Sequence, residues 1–276
     1  TLPFSGETFA ITSGFESFDA QRKVGSEITT KDNKAFYVDT EIQANAKTII
    51  SAGARHEQVD YSYNGASALT TDENLNAYDI GVNYVFNEQL SIFSNFNHSF
   101  QAPDVDRFFY FDFGTGGTVF NEFLEPAKSN TLNIGFTHQT KQNTLSLTSY
   151  YSKVENELVF NPSTFLNDNI DNSKKYGLEL QNTMQLNDKI SASLTYNYVK
   201  AEIGSNAQGF TDGNDMPGVP RQIALINVNY QFLNNGYINF SHAWKEKTFI
   251  FSDFANSNSQ KQPQYNSTDL SVNYAV

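Results

Sequence analysis

Residues 175–203 read KYGLELQNTMQLNDKISASLTYNYVKAEI. Tyr176, Leu178, Leu180, Met184 and Leu186 share one parity, and Gly177, Glu179, Gln181, Thr183 and Gln185 share the other. After the polar turn Asn187-Asp188-Lys189 the alternation resumes. Ile190, Ala192, Leu194, Tyr196 and Tyr198 stand against Ser191, Ser193, Thr195 and Asn197. Period two marks a strand with one apolar and one polar face. Both arms exceed the ~5–6 residues usual for strands of soluble sheets. What so long an apolar face lies against decides the fold.

The pattern recurs along the chain. Phe36, Val38 and Ile42 oppose Tyr37, Asp39, Glu41 and Gln43; Ile80, Val82 and Tyr84 oppose Asp79, Gly81 and Asn83. Leu90, Ile92 and Phe96, then Leu132, Ile134 and Phe136, then Ile226, Val228 and Tyr230, then Leu270, Val272 and Tyr274 repeat it. No convincing helical stretch appears, and the count comes to about 12 strands. Tight turns fall near residues 45–47, 87–89, 140–143, 187–189 and 233–236. Longer polar loops are expected at 62–74, 101–130, 161–173, 204–218 and 252–264. Short and long connections therefore lie at opposite ends of the strands, as in outer-membrane barrels. A soluble β-sandwich also alternates. Long strands, a polar parity built of Ser, Thr, Asn, Gln and Gly, and aromatic residues near strand ends favour the barrel.

Composition agrees. Only 17% of the 276 residues are charged while 14% are aromatic, with 24 Phe and 15 Tyr. The net charge of −12 argues against a nucleic-acid partner, which needs clustered Lys and Arg. Cysteine is absent, which excludes disulfides and thiolate chemistry. No apolar run approaches the ~20 residues of a membrane helix, a fact that leaves barrel strands open. No Walker loop, Gly-x-Ser-x-Gly elbow or His-Glu-x-x-His is present, so an enzyme is not expected, nor a cofactor.

Residues 84–109, YVFNEQLSIFSNFNHSFQAPDVDRFF, carry a resemblance to the TonB-dependent outer-membrane receptors. Phe100, Ala102, Pro103, Asp104, Phe108 and Phe109 match that family's Phe-Arg-Ala-Pro-like strand end and following aromatic pair; Gln101 replaces the frequent Arg. Residues 124–136, 150–160, 175–181, 217–232 and 267–276 are similar to later segments, in the family's order, with Ala127 and Lys128 replacing its usual acidic and basic pair. The resemblance implies an all-β, antiparallel up-and-down transmembrane β-barrel of about 22 strands around a plug. Residues 1–276 read as a partial barrel domain, an internal piece covering roughly strands 9 to 20 and an open curved sheet when alone. Plug and terminal strands are absent from it, and Ala275-Val276 do not fit the aromatic ending of a last strand. By implication the intact protein sits in the bacterial outer membrane among its lipids. There it takes up a small-molecule nutrient (ferric siderophore, haem, cobalamin or oligosaccharide) and meets the TonB complex through the plug. A passive porin and a soluble β-rich binding module remain the rival readings.

Site expectations centre on the loop after residue 101. Asp104, Asp106, Arg107, Phe108, Phe109, Tyr110, Phe111 and Phe113 form an aromatic and charged set suited to a ring-bearing ligand. The bland alternative is that the rings pack the loop upon itself. Arg55, Glu57, Glu179 and Gln181 lie on polar parities and are expected on the lumen wall, against water or plug. Arg221 is expected to anchor a loop, and His98 and His138, on apolar parities, to lie at an interface. Asp168, Asp171, Asp212 and Asp215 are expected to be solvated. No metal site is expected, since no pair of His has helical ligand spacing.

Overall fold

The computed structural model describes residues 2–4, 7–162, 164–257 and 261–275. Thirteen strands make one sheet in chain order, interrupted only where two loops carry small hairpins of their own. They are β1 (Leu2–Phe4), β2 (Glu7–Val24), β3 (Glu27–Asn45), β4 (Thr48–Tyr63), β5 (Leu69–Val85) and β6 (Leu90–Gln101). Then follow β9 (Ala127–Gln139), β10 (Asn143–Asn161), β11 (Leu166–Asn187), β12 (Ile190–Ile203), β13 (Gln222–Leu233), β14 (Gly236–Lys245) and β17 (Tyr265–Tyr274). The hairpin β7 (Phe109–Asp112) and β8 (Gly117–Phe120) lies between β6 and β9; β15 (Thr248–Phe249) and β16 (Lys261–Gln262) lie between β14 and β17. Every neighbouring pair is antiparallel. The three-residue β1 and β17 are the two edges, so the sheet is unclosed. Twelve long strands match the expected number.

Register turns the alternation into two faces. Directly paired residues share a face. One row runs Tyr84, Ile92, Phe136, Leu147, Leu180, Tyr196, Ala224 and Trp244 across eight strands. A neighbouring row holds Ile42, Ile50, Val82, Ser94, Ile134, Ser149 and Leu178. Ile80, Val82, Ile134, Leu178, Leu270 and Val272 are all exposed to the surroundings on this face. The apolar rows do not meet across a sandwich core. They look outward, which is stable only where hydrocarbon replaces water.

The tight turns follow from side-chain chemistry. Asn187 Oδ1 accepts from the backbone N–H of Lys189 and Ile190 at 2.9 and 3.0 Å. Asn87 Oδ1 does the same for Gln89 and Leu90, both at 2.9 Å. Asn45 caps Lys47, and the Thr140 hydroxyl caps Gln142 and Asn143. These side chains stand in for a backbone carbonyl and close the chain in two to four residues. In the opening hairpin, a Cβ on Gly177 would run into the Tyr198 carbonyl and lie 2.9 Å from the Tyr150 hydroxyl. Glycine is required there by close approach within the sheet.

Two expected loops are largely strand. β4 continues to Tyr63 and β5 begins at Leu69; β10 continues to Asn161 and β11 begins at Leu166. The expected loops 62–74 and 161–173 shrink to residues 64–68 and 162–165. The cause is physical. Above the apolar band both faces of a strand are polar, so period two disappears while the backbone ladder persists. Loops 102–126 and 204–221 are long, as expected. Ser163, Gln260 and Val276, with neighbours at residues 258–259, lie outside the described residues. The expectation about Val276 falls there.

One prediction follows from the faces. Ile134 lies about midway along the apolar band. In the whole receptor, Ile134→Arg is expected to cost ~2–4 kcal/mol, while Thr137→Arg on the polar face costs less. Denaturant unfolding in lipid bilayers measures the difference.

Candidate functional site

The segment between β6 and β9 folds back over the polar face of the strands preceding it. Its core holds Phe108, Phe109 and Leu124 against Val59, Tyr61 and Leu75 of β4 and β5. Phe108 is 0% exposed and sits edge-on to Tyr61, with ring centroids 5.1 Å apart, and edge-on to Phe123 at 5.0 Å. Phe120 stacks on Tyr63 at 3.9 Å. A short 3-10 turn, Val105–Phe108, delivers these rings.

Polar contacts strap the loop to both flanks. On one side the Tyr61 hydroxyl donates to the Pro103 carbonyl at 2.8 Å. The buried Lys31 ammonium donates to the Ala102 carbonyl at 3.3 Å and faces Asp104 at 3.5 Å. Arg22, at the end of β2, pairs with Asp106 at 2.7 Å and lies 4.6 Å over the Phe109 ring. On the other side Asn167 of β11 donates to the Arg107 carbonyl at 3.0 Å and accepts from the Arg107 guanidinium at 3.4 Å. Asn169 joins the Glu125 carbonyl and amide at 2.9 and 3.0 Å, and Asn156 donates to the Glu125 carboxylate at 2.6 Å. One loop thereby links β2 to β11.

This placement divides the expected ligand set. Phe108 and Phe109 are buried, so these two do what the bland alternative proposed and pack the loop. Asp104, Asp106 and Arg107 serve as anchors. Tyr110 is half-buried, while Phe111 and Phe113 are exposed. Phe111 and Phe113 stand edge-on at 5.1 Å, Phe113 meets Phe165 at 5.5 Å, and Phe165 meets Phe160 at 6.4 Å. The β10–β11 connection thus adds two rings that the sequence reading passed over. At the base of this platform Asp112 Oδ1 accepts from the Gly114 N–H and Oδ2 from the Thr115 hydroxyl, both at 2.9 Å. These bonds hold its carboxyl below the usual carboxylate range.

A second core lies around Ile170, Ala201, Ile203, Met216 and Phe254, with Phe210 stacked on Phe254 at 4.1 Å. Arg221 anchors its loop, donating to both Asp215 oxygens at 2.7 and 3.0 Å. Asp215 was expected to be solvated; the ion pair corrects that. Asp168 accepts from Gln208 at 3.1 Å. His98 lies on the outward face, stacked 5.0 Å from Tyr78 and bonded to Asn130 at 2.8 Å.

On the polar face Arg55 and Glu57 are not free groups lining a channel. Arg55 donates through Nε and Nη2 to Glu57 Oε2 at 2.9 and 2.6 Å, and through Nη1 to Glu16 at 2.7 Å. Asn33 also donates to Glu57. The buried Glu57 is thereby paired, which its burial requires. Glu179 and Gln181 share the polar face and are exposed. Among the described residues no group of three or more His, Asp or Glu is arranged to hold a metal ion.

A curved antiparallel sheet with an outward apolar face and looped outer end is the geometry of an outer-membrane β-barrel wall. Residues 6–276 match the family model "TonB dependent receptor-like, beta-barrel", and the chain belongs to that family. It is 24% identical over 270 residues to the probable TonB-dependent siderophore receptor PiuA of Acinetobacter baumannii, covering 90% of this chain and 35% of that protein. Among solved structures it is similar to the ferric-catecholate import receptor Fiu of K12 E. coli in its closed form, with TM-score 0.75 and 18% identity. That match covers 100% of this chain and 47% of Fiu. It is also similar to the ferric citrate transporter FecA, with TM-score 0.77 and 19% identity, covering 99% of this chain and 45% of FecA. The chain spans about a third of the length of its curated relative. It is a wall segment of an outer-membrane receptor barrel.

Two predictions test the loop. Phe108→Ala in the whole receptor is expected to cost the loop ~3–5 kcal/mol. Limited proteolysis would then cut within residues 102–126 while the barrel stays inserted. The second concerns Asp112. A carboxyl whose pKa is depressed in the fold contributes stability above its unfolded value and loses it as pH falls through the folded one. Amide exchange at Gly114, whose N–H donates to the Asp112 carboxylate, is therefore expected to stay slow through the ordinary carboxylate range and rise only in stronger acid. Asp112→Ala should make it fast at every pH.

Proposed function

We propose that this segment belongs to an active transporter that takes up a scarce, ring-bearing iron chelate through the outer membrane, without catalysing a reaction. The observation that carries the reading is the platform of Phe111, Phe113, Phe160 and Phe165. It is exposed at the outer end of the barrel and is held from beneath by a buried core. Exposed rings on a rigid base offer stacking area to a flat ligand at little entropic cost. Relatives described as a siderophore receptor, a ferric-catecholate import receptor and a ferric citrate transporter support an iron chelate as cargo, and the catecholate among them bears rings. Opening of the path would come from TonB acting on a plug domain, with energy from the inner membrane.

Uptake of iron-loaded chelates by a strain deleted for the receptor tests the transport reading; unchanged uptake of every chelate would refute it. In the purified receptor, Phe111→Ala with Phe113→Ala is expected to weaken chelate binding about tenfold, from ~0.5–1.5 kcal/mol per ring contact. Unaltered affinity, measured by fluorescence titration, would remove the platform from the binding site.

A further inference from the structure

The sequence holds two Asn-Gly dipeptides, Asn64-Gly65 and Asn235-Gly236. In such a pair the glycine nitrogen can attack the neighbouring side-chain amide, because no side chain shields it. The fold treats the two pairs differently. Asn235 lies in the tight turn between β13 and β14. Its Nδ2 donates to the Ala275 carbonyl, and its own backbone carbonyl accepts from the Ala275 N–H at 3.0 Å. Gly236 is buried and paired with Leu233 on one side and Tyr274 on the other. A Cβ on it would lie 2.6 Å from the Phe232 ring. Leaving group and nucleophile are both held in the ladder.

Asn64 stands at the opposite end of the sheet, just past β4, and is exposed. Its backbone N–H donates to the Ile28 carbonyl at 3.1 Å, and its Oδ1 accepts from the Ile28 N–H at 2.6 Å. Accepting from an N–H fixes which side-chain atom is the oxygen. Among the described residues Asn64 Nδ2 has no partner, nor has the N–H of Gly65, which lies outside the strands. The Ile28 N–H sits where negative charge develops when the amide carbon is attacked, as an oxyanion donor does. The glycine itself is imposed by the fold. A Cβ at residue 65 would lie 2.0 Å from the Tyr63 hydroxyl, which donates to Glu27 at 2.7 Å. We propose that Asn64 is a site of spontaneous deamidation, and that the fold protects Asn235. The Gly65 nitrogen gives its proton to hydroxide and bonds to Asn64 Cγ. The Cγ–Nδ2 bond then breaks, Nδ2 takes a proton from water and leaves as ammonia, and a cyclic succinimide remains. Water adds to either ring carbonyl and opens the ring to aspartate or isoaspartate. Isoaspartate adds a methylene to the main chain one residue beyond Tyr63, the ring that carries Phe120 of the loop after β6.

The test ages the whole receptor in detergent at mildly alkaline pH and follows the two peptides by mass spectrometry. Deamidation adds one mass unit, and labelling by protein-isoaspartate methyltransferase marks the isoaspartyl product. In the folded receptor the Asn64 peptide is expected to convert roughly tenfold faster than the Asn235 peptide, a modest share of what one placed oxyanion donor supplies. In receptor unfolded with guanidinium the two peptides are expected to convert at similar rates. Equal rates in the folded receptor, or no conversion of Asn64, overturn the proposal. So does the same preference for Asn64 in the unfolded chain, which would trace it to neighbouring residues and not to the fold. Asn64→Gln is expected to remove most of the methyltransferase label from the folded receptor. A label that persists undiminished overturns the assignment to Asn64.

Discussion

A strand crossing hydrocarbon has no water to satisfy an open N–H or C=O group, so each strand must be bonded on both sides. Every other feature of this protein answers to that constraint. The ladder runs unbroken from β1 to β17, and its register keeps apolar residues on one face across the sheet. Its connections are forced to the two ends. At one end they are as short as an Asn or Thr cap allows. At the other they are free to be long, and there the chain builds its aromatic cores.

Those cores show how a membrane wall supports a shaped mouth. The loop after β6 is packed like a small soluble protein, with Phe108 fully enclosed and every anchor drawn from a strand end. Its ties to Arg22, Lys31 and Tyr61 on one flank and to Asn156, Asn167 and Asn169 on the other span most of the sheet. The exposed rings are therefore held by elements distant in sequence. The half-buried Arg55–Glu57–Asn33 network, closed around the buried Glu57, braces the polar face beneath in the same way.

Legibility in the sequence followed the solvent. Where one face met hydrocarbon, as in residues 175–203, alternation revealed strand, turn and face together. Beyond the hydrocarbon, as in residues 62–74 and 161–173, water and packed loops replaced lipid, the signal vanished and strand was read as loop. The aromatic loop was visible as a cluster, but composition does not separate Phe108 from Phe113. One is buried by Tyr61 and Phe123, residues that no local pattern connects to it. Phe160 and Phe165 escaped because they join the platform only through the β10–β11 connection. Nothing in the neighbourhood of Lys31 signals its burial, which depends on a loop some seventy positions later.

The extension of β10 and β11 gives the wall two climates. β11 holds 22 residues. At ~3.3 Å per residue and a tilt near 45°, it rises about 50 Å, roughly twice the ~25 Å apolar band. The upper half is a rigid turret standing clear of the bilayer. Substitutions there obey the rules of water-soluble sheets, those below the rules of lipid. Large visitors such as antibodies reach the rim of this turret and its loops well before they reach the membrane that anchors it.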